Sequence, residues 1–293
     1  MSNEATAPHR RHAVVVGVDG SEGNHTAITY AAEEALAAGR ALRLVTAVDQ
    51  EGWLLSEGAV SAHAEKILAE TDDRTRKEYP DLDLETRVRW GHPVAALMHQ
   101  TGEDDVLVVG TRGLGALHRA LVGSTSIRVA SRADAPVMIV PSSWAGADPA
   151  TAPIVVGIDP ERDHGEPLRF AVERARRLGA SVRVVHAVDL DAVLVLGAAA
   201  VSSADIHDWE QRSSAAIETA VAPFREDHPE VTIEVVKDRG HAAAILLDNA
   251  ADAQLIVLGR RHRGPSAWGL GSVAREVLHR AELPVAVVPI AHK

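Results

Sequence analysis

Cysteine is absent from the 293 residues, which excludes disulfide staples, thiol nucleophiles and thiolate metal centres. Aromatic residues are scarce at 3%, although apolar residues as a whole reach 46%. The apolar bulk is therefore Ala, Val and Leu, a mixture suited to buried parallel strands covered by alanine-rich helices. Positive charge is in deficit. A formal net charge of −11 argues against nucleic acid or an anionic membrane surface as a general partner. Long apolar runs are missing as well: the longest, Ala192 to Val201, falls far short of the ~20 residues of a membrane span. Met1 to His12 carries some positive charge but no apolar segment of secretory type, and the run Val14 to Val18 is short and interrupted by Gly17. The expectation is a soluble, cytoplasmic protein.

Several catalytic signatures are also lacking. No Gly-x4-Gly-Lys-Ser/Thr occurs, so a P-loop is excluded. Gly17-x-Asp19-Gly20 is not the dinucleotide fingerprint, which speaks against NAD. Neither a Gly-x-Ser-x-Gly elbow nor a His-Glu-x-x-His zinc motif is present. The 15 histidines are dispersed, and His118 and His262 read as solvent- or phosphate-facing rather than as metal ligands. No metal site is expected.

What is there, first of all, is a repeat. Val14-Val15-Val16-Gly17-Val18-Asp19 recurs 140 positions on as Ile154-Val155-Val156-Gly157-Ile158-Asp159. Leu44 to Asp49 recurs at the same offset as Val184 to Asp189. Gly91-His92 matches Gly240-His241, 149 positions on, and Arg132 to Pro141 matches Arg280 to Pro289, 148 on. Four blocks in one order indicate a duplication. Each copy alternates strand and helix patterns, which implies an open, mostly parallel sheet with helices on both faces.

The strands are expected near His12–Asp19, Leu42–Val48, Leu84–Val88, Asp105–Gly110 and Val137–Val140. Those of the second copy are expected near Ile154–Asp159, Val182–Val188, Val231–Val236, Gln254–Gly259 and Val285–Val288. Helical spacing marks Ala27 to Leu36, closed by Gly39, then Ala62 to Tyr79, and Pro93 to Gln100. The stretch Pro141 to Pro153, with its Ser, Gly and Pro residues, reads as a linker. The domains are thus expected at 1–143 and 153–293, with 144–152 between them. The second copy has gained about nine residues, including the apolar segment Val193 to Ala200. That segment suits either a buried connection or a lid or partner surface.

The most telling stretch is Gly110 to Ser126. It follows the apolar strand pattern Val106 to Val109 and runs into the hydroxyl-rich helix start Ser124-Thr125-Ser126, which reads as capped. Strand, glycine loop and helix N-terminus make a cradle for a phosphate group, because glycines let backbone N–H groups approach the anion. Charge separates this reading from an ordinary connection. With 41 acidic residues in 293, the 28 positions from Val106 to Ala133 should hold about four. Yet Val106 to Ala133 holds none, while carrying Arg112, Arg119, Arg128 and Arg132.

Gly110-x2-Gly113-x9-Gly123-Ser124 resembles the nucleotide signature of the ATP-binding universal stress proteins. Val15 to Asp19 is similar to that family's first strand with its terminal aspartate, and Val137 to Pro141 to its last strand. The resemblance covers nearly the whole chain as two tandem domains. It implies an α/β fold of two Rossmann-like domains of the adenine-nucleotide α-hydrolase type, each with a five-stranded sheet. It further implies that ATP, with or without magnesium, is held near Gly17, Val18 and Asp19, with Ala47 against the adenine. Gly110, Arg112 and Gly113 would line the ribose and phosphates, and Gly123, Ser124, Thr125 and Ser126 would donate to the phosphates. Asp19 reads equally as a turn-capping carboxylate, and Ser124 and Ser126 as plain helix caps.

In the second copy the matching residues are Gly157, Ile158, Asp159, Ala187, Gly259, Arg261, Gly271, Ser272 and Val273. There the pattern departs: His262 stands where the second glycine belongs, and Gly259 to Gly271 spans twelve positions against thirteen. No acid lies between Ala253 and Arg275, and Arg260, Arg261 and Arg263 add charge, so both a second nucleotide site and a basic surface loop remain open readings. No base for hydrolysis can be assigned. The expected role is a nucleotide-dependent stress regulator with little or slow turnover. The alternatives are an ATP-hydrolysing or phosphoryl- or nucleotidyl-transfer enzyme of the related class, and a scaffold with empty sites. Because the resembled family is one of dimers, the copies are expected to pack on each other as a pseudo-dimer, with a homodimer as a further step. Separately, the last strands, ending at Pro141 and Pro289, read as edges available for pairing.

Overall fold

Among the described residues the repeated apolar runs form ten strands, and the alanine-rich periodic segments between them form helices. The computed structural model describes residues 12–49, 57–111, 122–161, 164–188, 203–261 and 269–290. The first half contributes β1 (Ala13–Gly17), β2 (Ala41–Val48), β3 (Leu84–Trp90), β4 (Val106–Gly110) and β5 (Val137–Val140). Its helices are α1 (His25–Ala38), α2 (Glu57–Glu78), α3 (Pro93–Gln100) and α4 (Ser124–Arg132). The second half contributes β6 (Ile154–Gly157), β7 (Val182–Val188), β8 (Ile233–Arg239), β9 (Leu255–Arg261) and β10 (Val285–Ile290). Its helices are α5 (Gly165–Leu178), α6 (Ser203–Asp227), α7 (Ala242–Asp248) and α8 (Ser272–Arg280).

All ten strands join one sheet in the order β3-β2-β1-β4-β5-β10-β9-β6-β7-β8. Among the described strands, pairing is parallel within each half and antiparallel where β5 meets β10, with Met138 opposite Ala286. The last strands of the two copies are thus spent on each other, and the free edges are β3 and β8. Alternation along the strands divides the core into two layers. Val14 and Val16 face α1, α2, α5 and α6 through Ile28, Leu68, Leu168 and Ile217. Ala13 and Val15 face α3, α4, α7 and α8 through Leu97, Val129, Leu246 and Val277. Both layers run through both halves, so the copies share one core on each side of the sheet.

Strand cores match their expected positions; strand ends do not. β3 and β8 extend to Trp90 and Arg239. As edge strands they accept Arg87, Arg89, Lys237 and Arg239, which an apolar-run criterion discards. β9 and β10 also run further, because Arg260 and Arg261 pair with Pro289 and Ile290. β1 stops short, at Gly17, because the Asn24 side chain donates to the Gly17 carbonyl at 2.9 Å and closes the ladder there. α1 ends at Gly39, whose φ of 62° is left-handed, as its glycine suggests. The segment 193–200 lies outside the described residues.

Candidate functional site

β1 is hydrogen-bonded to β2 on one side and to β4 on the other. The strand order therefore reverses beside β1, and a crevice opens beyond the carboxyl ends of β1 and β4. The register Val16 to Val108 brings Val18 level with Gly110, with the two strands about 5 Å apart. Asp19 and the loop after Gly110 thus leave neighbouring strands into the same space.

The Asp19 side of this crevice is a tight, well-bonded turn. Asp19 Oδ1 accepts from the Ser21 amide at 2.9 Å and from Ser21 Oγ at 2.7 Å. Asn24, buried at 4% exposure, supports the turn from behind, accepting the Asp19 amide at 3.3 Å. The turn-capping reading of Asp19 therefore holds for Oδ1. No bond to Oδ2 is found among the described residues, and that oxygen remains as an acceptor. Ser21 and Asn24 are the residues sequence reasoning passed over. Their signal is the cluster Asp19-Gly20-Ser21-Glu22-Gly23-Asn24, typical of side chains that bond to nearby backbone.

On the opposite side, α4 starts after Gly123, the N-cap, whose backbone is extended (φ −60°, ψ 150°) and which makes no side-chain cap bond. The Gly123 amide donates to Thr111 O at 2.8 Å. Ser124 and Ser126 are thus inside the helix, not capping it. Ser126 is buried, and its hydroxyl donates back to Gly110 O at 2.7 Å, tying the helix start to the end of β4. This leaves the amides of Ser124, Thr125 and Ser126, which belong to the first helical turn and have no intrahelical acceptor. Three aligned donors at the positive end of a helix suit an anion. Ala47, near the end of β2, is half-buried, and the preceding Thr46 is buried with no partner for its Oγ1 among the described residues. Acceptor and amide cluster suit a ligand with a polar body and an anionic tail. Arg112 and Gly113 lie outside the described residues.

The second half repeats this plan with changes. Asp159 Oδ1 accepts from the Glu161 amide at 3.1 Å, and Ile158 pairs with Val185 as Val18 does with Val45. Gly157 ends β6, Ala187 lies near the end of β7, Gly271 caps α8, and Ser272 and Val273 begin it. Gly259, however, sits within β9 rather than opening the loop, so the connection starts two residues later, after Arg261. Arg260 is not available there: its guanidinium donates to Ser131 O and Ala133 O of the first half. His262, Arg263 and Gly264 lie outside the described residues, as does His118. Among the described residues no cluster of three metal-ligating side chains exists.

At the position of Thr46 the second half carries His186, which is buried and directs Nδ1 to Ile158 O at 3.3 Å. Burial pushes its pKa below the ordinary 6.5, against the pull of the Ile158 carbonyl and Asp159 and with the push of Lys237. The sign follows from linkage: the unfolded chain binds the proton more readily, so stability is full above 6.5 and falls as pH drops through the folded value. His186→Gln is expected to flatten the acid side of a urea-midpoint profile between about pH 7 and pH 5. An unchanged pH slope would show that His186 binds its proton equally well in the folded and unfolded chain.

A groove of about 580 Å³ lies between α3 and α4, lined by His92, His99, Arg128 and Arg132 together with Val94, Ala95 and Met98. None of the sequence-predicted site residues lines it. No described helix is long and apolar enough to cross a membrane.

Comparison with known proteins gives three findings. The family model described as "Universal stress protein family" matches residues 10–141 and again residues 151–289. A universal stress protein of Mycobacterium tuberculosis, Rv2005c, is 31% identical over 298 residues, covering 96% of this chain and 98% of its own. Among solved structures, a universal stress protein from Archaeoglobus fulgidus superposes with a TM-score of 0.68 at 18% identity, covering 94% of this chain and 98% of that one.

Proposed function

The chain belongs to the universal stress protein family, and from that premise we propose that it is a nucleotide-dependent stress regulator whose first half binds ATP. The carrying observation is the crevice itself. Asp19 and the first turn of α4 leave neighbouring parallel strands and face one space, acceptor on one side and three amide donors on the other. The Asp19 carboxylate would take hydrogen bonds from the ribose or the base, with Ala47 beside the adenine. The amides of Ser124, Thr125 and Ser126 would meet the phosphates, with Arg112 and Gly113 completing the cradle as the family signature implies.

Occupancy rather than turnover is the proposed output. Phosphoryl transfer needs a base that orients the attacking water, and the Asp19 carboxylate that faces the start of α4 is assigned to the nucleoside and not to that role. Magnesium would accompany the nucleotide without a dedicated protein ligand. In the second half Asp159, Ala187, Gly271 and Ser272 keep their places, but the later loop start and the diversion of Arg260 weaken the phosphate end. The first site is therefore proposed to fill first. The domain limits are set at 1–143 and 153–293, with 144–152 as linker.

The test is direct. Freshly purified protein is denatured and the released small molecules are identified by mass spectrometry. The emptied protein is then titrated with ATP, ADP, AMP and cAMP, and turnover is followed with magnesium. Bound adenine nucleotide, or a strong ATP isotherm, together with negligible hydrolysis, is the expected result. Rapid multiple turnover would make it an enzyme, and rejection of every nucleotide would make it a scaffold.

A further inference from the structure

We infer that Arg260, in the second half, is a positioning residue for the first half's nucleotide site, acting from the far end of α4. It rests on the reading that the phosphates lie at the start of that helix. Arg260 leaves β9, crosses the β10–β5 seam and is buried at 5% exposure. Its Nη1 donates to Ser131 O at 3.2 Å and its Nη2 to Ala133 O. Ser131 lies in the last turn of α4 and Ala133 is its C-cap. The last carbonyls of a helix have no intrahelical donor, and a cation there also meets the negative end of the dipole. A second contact falls on the same spot: Gly269 packs so closely on the Ser131 carbonyl that a side chain there would collide with it. Two residues that flank the second half's loop thus hold the end of a first-half helix.

The arrangement is one-sided. By the repeat, Arg260 corresponds to Thr111, just as Gly259 corresponds to Gly110. A threonine side chain is far too short for the reciprocal reach to α8. Burying a guanidinium carries a desolvation cost that an apolar side chain would not, so packing of the seam alone does not explain it. What the guanidinium adds is a fixed place for α4. A nine-residue helix is a rigid rod of about 13 Å, so holding its end fixes where the amides of Ser124, Thr125 and Ser126 point. Donors aimed in advance bind an anion without an ordering cost.

The test uses the full chain and compares wild type, Arg260→Met and Arg260→Lys by calorimetric titration with ATP and, separately, with adenosine. Because the helix presents donors to phosphates and not to the nucleoside, ATP affinity is expected to fall about tenfold in Arg260→Met while adenosine affinity stays put. Arg260→Lys, with charge but no fork, should fall between. Val287→Ala is the stability control: it opens a cavity under β10 at the same seam and should lower the urea midpoint without changing the ATP-to-adenosine ratio. Should Arg260→Met not fold, the Lys variant and amide exchange of α4 in it carry the same comparison. ATP binding by wild type that the variants leave unchanged, or an equal loss for ATP and adenosine, overturns this inference alone. Failure of wild type to bind ATP overturns the functional reading, and this one with it.

Discussion

An aspartate in place of Gly123 is expected to leave the protein at least as stable as before and to lower its affinity for ATP at least about a hundredfold, some 2.7 kcal/mol. The two effects have opposite signs for physical reasons. Gly123 occupies the N-cap of α4 with φ −60° and ψ 150°, a conformation open to any residue, so no backbone strain arises. A Cβ there would stand 3.4 Å from Thr111 O and 3.9 Å from Ser126 Oγ, which is ordinary contact. Aspartate is a preferred N-cap, and its charge complements the helix dipole, worth a few tenths to about 1 kcal/mol. The same carboxylate would occupy the end of the helix where the phosphates are proposed to rest. At an effective dielectric of about 20, two like charges about 4 Å apart repel by about 4 kcal/mol. Gly123→Asn separates cap from charge, since asparagine caps equally well but is neutral, and it should lose far less affinity. Calorimetric titration with ATP and a urea melt on the same samples read both effects. If the aspartate variant binds ATP as wild type does, the phosphates lie elsewhere.

The fold was legible because burial on both faces writes itself into composition. Val14 to Val16, Val106 to Val109 and their counterparts have no polar option, and their recurrence in one order exposed the duplication. The edges were less legible. β3 and β8 bear charge on a face that meets solvent, so Arg89 and Lys237 look like loop residues until strand pairing is known. At the candidate site, Asp19 and the glycine-to-serine helix start carry local signals, since turns and helix starts are decided within a few residues. Arg260 carried none. Beside Arg261 in an acid-free stretch it looks like a phosphate ligand, yet its partners, Ser131 and Ala133, are more than 120 positions away. Nothing in a local window tells a cation that meets a ligand from one that meets a distant helix end. The same limit hid Ser126, whose hydroxyl returns to Gly110 instead of capping its own helix.

Reversing charge at Glu34 is expected to cost more than any other single change outside the strands. Glu34 on α1 is 3% exposed and lies against Arg174 of α5, with Arg177 Nη2 at 3.3 Å from its Oε1. Arg174 is itself buried, donates to the Tyr30 hydroxyl at 3.1 Å and lies 5.5 Å from the centre of that ring. Glu34 and Arg174 are equivalent positions of the two copies, 140 residues apart. A pair of first halves would set Glu34 against Glu34, and a pair of second halves Arg174 against Arg174. Only a first half joined to a second half neutralises the contact, so the duplicated chain has lost the self-complementarity of a symmetric dimer at this point. Removing one partner of a buried pair costs about 3–5 kcal/mol, a large share of the roughly 5–15 kcal/mol that holds a domain together. Glu34→Arg adds repulsion from Arg174 and Arg177, so it should exceed the loss of Glu34→Ala and loosen α1 from α5. The double exchange, Glu34→Arg with Arg174→Glu, should recover most of the loss. It restores the pair in reverse, and the carboxylate moved onto α5 can still meet Arg177 one turn along that helix. Urea denaturation of the two single variants and the double variant, closed as a cycle, measures the coupling. A double variant no more stable than Glu34→Arg alone would mean that packing of α1 on α5, and not the charge pair, joins the halves.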